Sequence, residues 1–324
     1  MPRTGVLITG YGGPDSVDAV GPFMCNLMGR EPSEELLARV CRKYLAIGGA
    51  SPLTEIASAF ATKLETMLAE QEHDVPVEIG MRYWQPYISD GLARLRDRGC
   101  ERVIVLSLSA FEAQITTESY RKAVAEAATP LGLEIVDAPL MSESVAYTDW
   151  FAASAASALQ DIEPNEGAII AFTAHSLPHT DLVENDPYVA GLERVANQVA
   201  KDLGLEPGAP DAGAPMFEGF HAFGSAARPR AWFMVYQSKG ERPGAWLGPD
   251  LDELLDQCAE SGVPAIVVVP IGFATDHMET LYDLDIVSAD HALQMGVEML
   301  RAPVPNEDDT IVTAMVDEVV ALLG

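Results

Sequence analysis

The chain has 324 residues, of which 48% are hydrophobic and 7% aromatic, which is ordinary usage for a globular protein with one large or two medium-sized domains. Its formal net charge of -29 argues against a nucleic-acid partner, because phosphate binding needs clustered Lys and Arg. No apolar run reaches the ~18–20 residues of a membrane span, and the N-terminal MPRTGVLITGYGG lacks the features of a signal peptide, so we expect a cytoplasmic protein without an integral membrane segment.

Strand-like runs alternate with helical patterns along the first half of the chain. The strand-like runs are GVLITG, VEIGMRY, RVIVLSLS and LEIVDAP. The helical patterns are SEELLARVCRKYLA, SAFATKLETMLAEQ, SDGLARLRDRG and ESYRKAVAEAATPLG, and several end at Gly, as helices often do. This alternation predicts a parallel sheet with helical crossovers.

The alternation restarts at Ala168, after the helix and polar turn predicted in TDWFAASAASALQDIEPNEG. The later strand-like runs are GAIIAFTAH, AWFMVYQS and AIVVVPIGF, and the later helical patterns are LERVANQVAKDLG, DLDELLDQCAESG and DDTIVTAMVDEVVALL. Residues 206–228 are rich in Gly, Ala and Pro, so we expect a surface excursion there rather than a regular helix.

Continuous apolar runs such as VIVL and AIVVV suit parallel strands that are covered on both faces. We therefore predict an α/β fold of two Rossmann-like domains, each a parallel sheet flanked by helices. The N-terminal domain is expected at 1–150 and the C-terminal domain at 151–304, with a last helix at about 305–324 that packs back on the N-terminal domain.

Several polar side chains follow strands directly, where open parallel sheets bind their ligands. They are Tyr11, Arg82, Tyr83, His175, Asp276, His277 and Glu279. His175 ends a strand too apolar for the surface, and its imidazole could bind a divalent metal or accept a proton near neutral pH. A structural histidine with satisfied hydrogen bonds is the alternative.

The run GFATDHMETLYDLDI carries acidic residues at short intervals after a buried strand. Helical spacing would place Glu279 and Asp283 on one face, where a row of carboxylates could conduct a cation or protons. The alternative is an acidic, solvated helix start, since Asp and Glu favour a helix N-terminus.

Signatures of other chemistries are missing from the sequence. It contains no GxxxxGK[ST] phosphate loop and no GxSxG elbow, and Pro14 follows GYGG where a dinucleotide-binding helix would begin. The cysteines Cys25, Cys41, Cys100 and Cys258 lie far apart without CxxC spacing, so we expect reduced, buried thiols.

Seven segments in order resemble the ferrochelatases along nearly the whole chain. They are GVLITGYGGP, YLAIGGASPL, GMRYWQP, AFTAHSLP, NDPYVAGLERV, VYQSKG with AWLGPD, and PIGFATDHMETLYDLDI. The resemblance implies a chelatase-like pair of Rossmann-like domains with a porphyrin cleft between them. It also implies a lyase of haem biosynthesis that inserts Fe(II) into a porphyrin.

The resemblance gives roles to the residues at the strand ends. His175 matches the histidine that coordinates the metal and receives pyrrole protons, and Glu279 matches the acidic residue that faces it. Asp283 matches the next acidic position, on a helix that the family distorts towards π geometry. Asp276 and His277 belong to the same motif and are expected to orient His175 or Glu279, or to line the path of protons or metal.

A second set of residues matches porphyrin-binding positions. Tyr11 resembles the tyrosine of coproporphyrin ferrochelatases, so coproporphyrin III is the expected substrate and Fe-coproporphyrin the expected product. The other residues in this set are Arg30, Lys43, Tyr44, Ser51 and Tyr120. Coproporphyrin bears four carboxylates, which need local cations in so acidic a protein. For Lys43, a solvated helix lysine is the alternative.

Departures from the family pattern limit these expectations. Val287 replaces the third acidic position of the helix, which shortens the expected carboxylate path, and no cysteine follows Cys258, so no iron-sulfur cluster is expected. Fe(II) is then a substrate, and no prosthetic group is expected. We expect a monomer with transient contacts to other haem-pathway enzymes. The alternatives are a protoporphyrin IX ferrochelatase, a cobalt or nickel sirohydrochlorin chelatase, and a non-catalytic porphyrin or haem carrier.

Overall fold

The structure is a computed structural model, and it describes residues 3–161, 167–207, 231–240 and 242–324. The strands are β1 (Thr4–Gly10), β2 (Val77–Met81), β3 (Arg102–Ser107), β4 (Glu134–Asp137), β5 (Ala168–His175), β6 (Glu206–Pro207), β7 (Ala231–Gln237), β8 (Ala265–Val269) and β9 (Glu298–Arg301). The helices are α1 (Val20–Met28), α2 (Glu34–Ala46), α3 (Leu53–Glu70), α4 (Ile88–Asp97), α5 (Ser119–Ala128), α6 (Val145–Ala158), α7 (Pro187–Asp202), α8 (Leu251–Ser261), α9 (Ala289–Met295) and α10 (Asp309–Leu323). Two segments, Gln114–Glu118 and Glu279–Ser288, are π-helical.

The chain divides into two compact units. The first unit consists of Met1–Tyr147, Ala274–Met278 and Pro305–Gly324, and the second unit consists of Thr148–Phe273 and Glu279–Val304. The expected domains at 1–150 and 151–304 stay a prediction, because a division by contacts does not test whether either part folds independently.

The first unit contains a four-stranded parallel sheet in the order β2-β1-β3-β4. Its central strands carry the runs VLI and VIVL, which are buried, as expected for strands covered on both faces. Helix α10 packs on α3, where the Lys63 ammonium lies 2.8 Å from the Asp309 carboxylate. Arg102 Nη1 also donates to the Leu322 carbonyl at 2.8 Å, which ties the end of α10 to β3.

The second unit contains a five-stranded parallel sheet in the order β6-β7-β5-β8-β9. Strand β8 is buried along its whole length, and β5 is buried up to His175. His175 lies opposite Gln237 in the register of β5 and β7, so these two side chains stand at the same edge of the sheet.

The edge strands β6 and β9 are absent from the sequence-based prediction. Each is short, and β9 (Glu298–Arg301) is recognised by its pairing with β8 rather than by its own composition.

Residues 208–230, most of the Gly/Ala/Pro-rich segment, and the polar turn at 162–166 lie outside the described residues. Within the described ranges, no helix is both long and apolar enough to cross a membrane.

Candidate active site

His175 ends β5, and both its side chain and its backbone carbonyl are engaged. Its Nδ1 lies within hydrogen-bonding distance of the Ser176 carbonyl oxygen, and the Tyr188 hydroxyl donates to the His175 carbonyl at 2.9 Å. Its Nε2 lies 3.2 Å from Glu279 Oε1. The side chains of His175 and Glu279 are 26% and 24% exposed, so both are largely but not fully excluded from water.

The last residue of β7 and the residue after it, Gln237 and Ser238, bond to the π-helical segment on which Glu279 lies. Gln237 Nε2 donates to the Glu279 carbonyl oxygen at 3.0 Å. Ser238 Oγ donates to Asp283 Oδ2 at 2.7 Å. The structure therefore brings together three of the predicted site residues, His175, Glu279 and Asp283, within the second unit.

The hydrogen bonds of His175 determine which species can lie between its Nε2 and the Glu279 carboxylate. A carbonyl oxygen only accepts, so Nδ1 facing Ser176 carries a proton. In a neutral imidazole Nε2 is then an acceptor, and it faces a carboxylate that also accepts when ionised. Two acceptors 3.2 Å apart need a proton or a cation between them. The pair is therefore built to hold either one.

The pKa of His175 is raised above its ordinary value of 6.5. Burial lowers this pKa, but the negative charge of Glu279 and the hydrogen bond to it outweigh the burial, with further raising contributions from the Ser176 carbonyl and from Asp283. In the free protein the imidazolium form is therefore favoured to a higher pH than in a solvated histidine.

An imidazole nitrogen and a carboxylate oxygen are suitable donors for a borderline divalent cation. Two protein donors leave the remaining coordination positions to water or to nitrogens of a ligand, unlike a closed structural site with four protein ligands. Across the described ranges, no group of three or more His, Cys, Asp or Glu side chains is placed to hold a metal ion. Within the described residues, His175 and Glu279 are thus two candidate donors for a divalent cation.

Tyr11 lies beyond the end of β1 in the first unit, among aromatic and cationic neighbours. Its ring is 4.7 Å from that of Tyr83, and the Arg82 guanidinium lies 4.8 Å from the Tyr83 ring centroid. Arg82 Nε donates to Ser119 Oγ at 3.0 Å. The strand-end residues of β1 and β2 therefore converge on the start of α5.

The other predicted porphyrin-binding residues are also in the first unit, and they differ in exposure. Tyr44, Ser51 and Tyr120 are buried, with 4%, 8% and 1% exposure. Tyr120 Oη lies 3.1 Å from Ser109 Oγ, so direct contact of this hydroxyl with a ligand requires neighbouring side chains to move. Arg30 is exposed, whereas Lys43 is half-buried. The porphyrin-binding role of these five residues stays a prediction.

Asp276 and His277 lie in the part of the β8 to π-helix connection that belongs to the first unit. The Asp276 carboxylate accepts from Asn306 Nδ2 at 2.9 Å, and the Asp276 N–H donates to Asn306 Oδ1 at 2.7 Å. This reciprocal pair anchors the connection. The predicted role of Asp276 and His277 in orienting His175 or Glu279 stays a prediction.

The π-helical segment Glu279–Ser288 has the geometry that the family resemblance implied. Asp285 on this segment is bound by Arg301, whose Nη2 lies 2.9 Å from Asp285 Oδ2. Val287, which stands where the family pattern has its third acidic residue, is 42% exposed. The carboxylates next to His175 are therefore Glu279 and Asp283, and Asp285 is neutralised by an arginine.

A family model described as ferrochelatase matches residues 3–322 of this chain. The chain belongs to the ferrochelatase family. The coproporphyrin III ferrochelatase of Streptomyces griseus subsp. griseus is 33% identical over 328 residues, covering 98% of this chain and 84% of that protein. That of Leifsonia xyli subsp. xyli is 31% identical over 340 residues, with 96% and 82% covered. The ferrochelatase of Thermus thermophilus is 30% identical over 338 residues, covering 98% of each chain.

Solved chelatase structures share the fold of this ferrochelatase. SirB from Bacillus subtilis with Fe3+ matches with a TM-score of 0.51 at 10% identity, covering 98% of this chain and 94% of that one. CbiX, the terminal enzyme of sirohaem biosynthesis in denitrifying bacteria, matches with a TM-score of 0.50 at 14% identity, covering 99% and 100%. At such identities the likeness concerns the fold alone, and it confirms the predicted two-domain chelatase-like α/β class.

Sequence reasoning gave no role to Gln237, Ser238 or Tyr188, although all three bond to candidate site residues. Gln237 and Ser238 are the last two residues of the predicted strand-like run AWFMVYQS, so the strand-end rule that selected His175 could have selected them as well. Tyr188 carried no such signal, because its hydroxyl reaches the His175 carbonyl from a helix 13 residues further along.

Proposed function

We propose that this ferrochelatase inserts Fe(II) into coproporphyrin III and releases Fe-coproporphyrin as a step of haem biosynthesis. Relatives that cover nearly all of this chain, such as those of Streptomyces griseus and Leifsonia xyli, are named coproporphyrin III ferrochelatases. Tyr11, the residue on which the preference for coproporphyrin rests, lies half-buried beside Tyr83 at the end of β1.

The pair of His175 and Glu279 is the observation that carries this proposal. Insertion breaks two pyrrole N–H bonds and forms bonds from Fe(II) to the macrocycle nitrogens, so two protons leave as two positive charges arrive and no electron is transferred. A site for this exchange must hold a divalent cation and then accept protons. Nε2 of His175 and Oε1 of Glu279, 3.2 Å apart, can do both in turn.

Replacing His175 by Ala tests the reaction. The variant should bind coproporphyrin III but lose metallation by at least about 100-fold, the lower end of what a positioned acid–base group contributes. Turnover is followed by the absorbance of the metallated product with enzyme well below substrate, which separates catalysis from stoichiometric binding by a carrier. His291→Ala, at a half-buried histidine of the same unit that pairs with Asp256, is the matched control. Unchanged turnover in His175→Ala would refute the assignment.

Comparing two porphyrins tests the substrate. We expect a higher kcat/KM with coproporphyrin III than with protoporphyrin IX, because two additional carboxylates can pair with the proposed cationic contacts Arg30 and Lys43. Replacing both cations by Gln should narrow the difference between the two porphyrins. Equal or better turnover of protoporphyrin IX by the unmodified enzyme would assign that substrate instead.

We also propose that the enzyme acts in the cytoplasm as a monomer without a prosthetic group or iron-sulfur cluster, and meets other haem-pathway enzymes transiently. The four cysteines Cys25, Cys41, Cys100 and Cys258 lie far apart in the sequence without CxxC spacing, and this spacing is the ground for expecting no cluster. Light scattering of the purified chain and analysis of bound iron test these points, and a dimer or stoichiometric iron with sulfide would contradict them.

A further inference from the structure

Gln237, the last residue of β7, bonds to both segments that carry the His175–Glu279 pair. Gln237 is the register partner of His175, and its carbonyl accepts from the Ser176 N–H at 2.8 Å. Its side-chain Nε2 reaches the carbonyl of Glu279 at 3.0 Å. Backbone and side chain of this one residue thus bond to both segments that carry the pair.

The orientation of the Gln237 amide is set by that contact. Gln237 is only 3% exposed, and among the described residues its Oε1 finds no hydrogen-bond partner. Turning the amide over would place Oε1 against the Glu279 carbonyl oxygen, and two acceptors repel each other. The Gln237 amide therefore donates to the Glu279 carbonyl oxygen through Nε2, while its buried Oε1 is left without a hydrogen-bond partner among the described residues. Such a group in a native protein requires an explanation.

Ser238, the residue after Gln237, has a strained backbone conformation. Its backbone φ is +59°, in the left-handed region that non-glycine residues rarely occupy. In this conformation its hydroxyl donates to Asp283 Oδ2 at 2.7 Å. Backbone strain of this kind persists where the surroundings enforce it, and it is concentrated at functional sites.

The two contacts are spaced to hold the first turn of the π-helical segment. Gln237 binds the residue that begins it, Glu279, and Ser238 binds Asp283, four residues later. We propose that Gln237 and Ser238 are positioning residues that fix the carboxylates of Glu279 and Asp283 relative to the His175 imidazole. They then govern the rate of metal insertion rather than the binding of the porphyrin. This inference rests on the proposed function.

Steady-state kinetics of Ser238→Ala and Gln237→Leu test it with Fe(II) and coproporphyrin III. Hydrogen bonds to a charged acceptor are the stronger ones, so Ser238→Ala should lower kcat about 10-fold, and Gln237→Leu should lower it several-fold. The KM for coproporphyrin III should stay within about 2-fold, since neither side chain is expected to touch the macrocycle. Gln237→Glu, which keeps the shape but loses the donor, should lower kcat at least as much as Gln237→Leu.

Two control variants separate positioning from general destabilisation. Ser154→Ala removes another poorly exposed serine of the same unit, whose hydroxyl donates to the Pro303 carbonyl at 3.1 Å, and should keep the kcat of the unmodified enzyme. Ser238→Gly also lacks the hydroxyl but relieves the left-handed strain, so it should melt no lower than Ser238→Ala and remain equally slow. Recovery of kcat in Ser238→Gly would overturn the role of the hydroxyl.

Zinc affinity gives a readout that does not depend on turnover. Competition with a chromophoric chelator should show weaker Zn(II) binding in Ser238→Ala and Gln237→Leu than in Ser154→Ala, because the Glu279 carboxylate is less well held. Unchanged kcat and unchanged zinc affinity in both variants would overturn the inference, and so would a change confined to the KM for coproporphyrin III. If the unmodified enzyme metallates no porphyrin, the proposed function fails instead, and the zinc measurement still decides the positioning.

Discussion

At the scale of single residues, the site is defined by two acceptors that face each other. His175 presents Nε2 towards Glu279 because its Nδ1 is engaged by the Ser176 carbonyl. Burial lowers the His175 pKa, but the negative charge of Glu279 and the hydrogen bond to it outweigh burial, so a proton is favoured in the gap. A divalent cation entering the gap must displace that proton, so metal binding and proton release are coupled at the same atoms.

Removing the charge of Glu279 should lower the His175 pKa. In Glu279→Gln the electrostatic contribution that raises the pKa is lost while burial, which lowers it, remains. Titration of the imidazole C–H resonances by NMR measures the change, with the other histidines as internal controls. A His175 pKa that does not move, or that rises, would contradict the pairing.

The same raised pKa determines the direction of two pH effects. A group with a raised folded-state pKa stabilises the protein fully below its unfolded value of about 6.5, and this contribution is lost as the pH rises through the raised pKa. Proton acceptance requires the neutral imidazole, so metal insertion should increase with pH over that same interval, above about 6.5. A rate profile that falls over this interval would oppose His175 as the proton acceptor.

At the scale of elements, close contact between helices and strands places the strand ends that carry the site. In the first unit, α4 packs closely on β2 because Gly91, which faces β2, has no side chain. A Cβ at that position would lie 2.7 Å from the Ile79 carbonyl oxygen and 2.6 Å from Leu7 Cδ1. Helix α4 therefore packs directly on the backbone of β2, the strand that ends at Met81.

The substitution Gly91→Ala should destabilise the protein by about 1–3 kcal/mol, because overpacking against backbone outweighs the gain of up to ~1 kcal/mol that alanine brings to a helix. Gly21→Ala in α1 is the matched control, since its added Cβ would lie at an ordinary 3.8 Å from Leu37. Urea unfolding compares the two variants. Equal stability of Gly91→Ala and the unmodified protein would show that α4 can shift freely.

At the scale of the whole molecule, the acidic excess is spread over a chain with two parallel sheets. The chain carries 49 Asp and Glu against 20 Lys and Arg. Several of the cations are already engaged in ion pairs, as Arg121 is with Glu112 and Arg301 with Asp285. Net repulsion among the remaining carboxylates keeps the protein soluble but opposes the compact state.

Salt should therefore raise the melting temperature. Between about 0.05 M and about 0.5 M NaCl the screening length falls to a few ångströms, so exposed carboxylates repel each other less. We expect an increase of about 2–4 °C, which corresponds to roughly 1 kcal/mol for a domain of this size. KCl should act like NaCl, because screening depends on ionic strength. A melting temperature that falls with salt would show that attractive ion pairs dominate instead.

The fold class and family could be predicted from the sequence because they depend on local patterns. Buried parallel strands read as continuous apolar runs, and AIVVV in β8 is buried throughout. Short edge strands have no such pattern: β9 is defined by its pairing with β8, and the residues that form it could equally end a helix or begin a loop. The family match over residues 3–322 confirms the resemblance that the seven segments carried.

For the site, the sequence pattern alone predicts which chemical groups lie at strand ends. His175 follows an apolar run, and Glu279 and Asp283 follow another, so each could be selected without coordinates. Their geometry could not be predicted and is seen in the tertiary structure alone. His175 Nε2 lies 3.2 Å from Glu279 Oε1, and Gln237 and Ser238 bond to the π-helical segment. The partners are 104, 42 and 45 residues apart in the chain, and strand register rather than local propensity sets such distances.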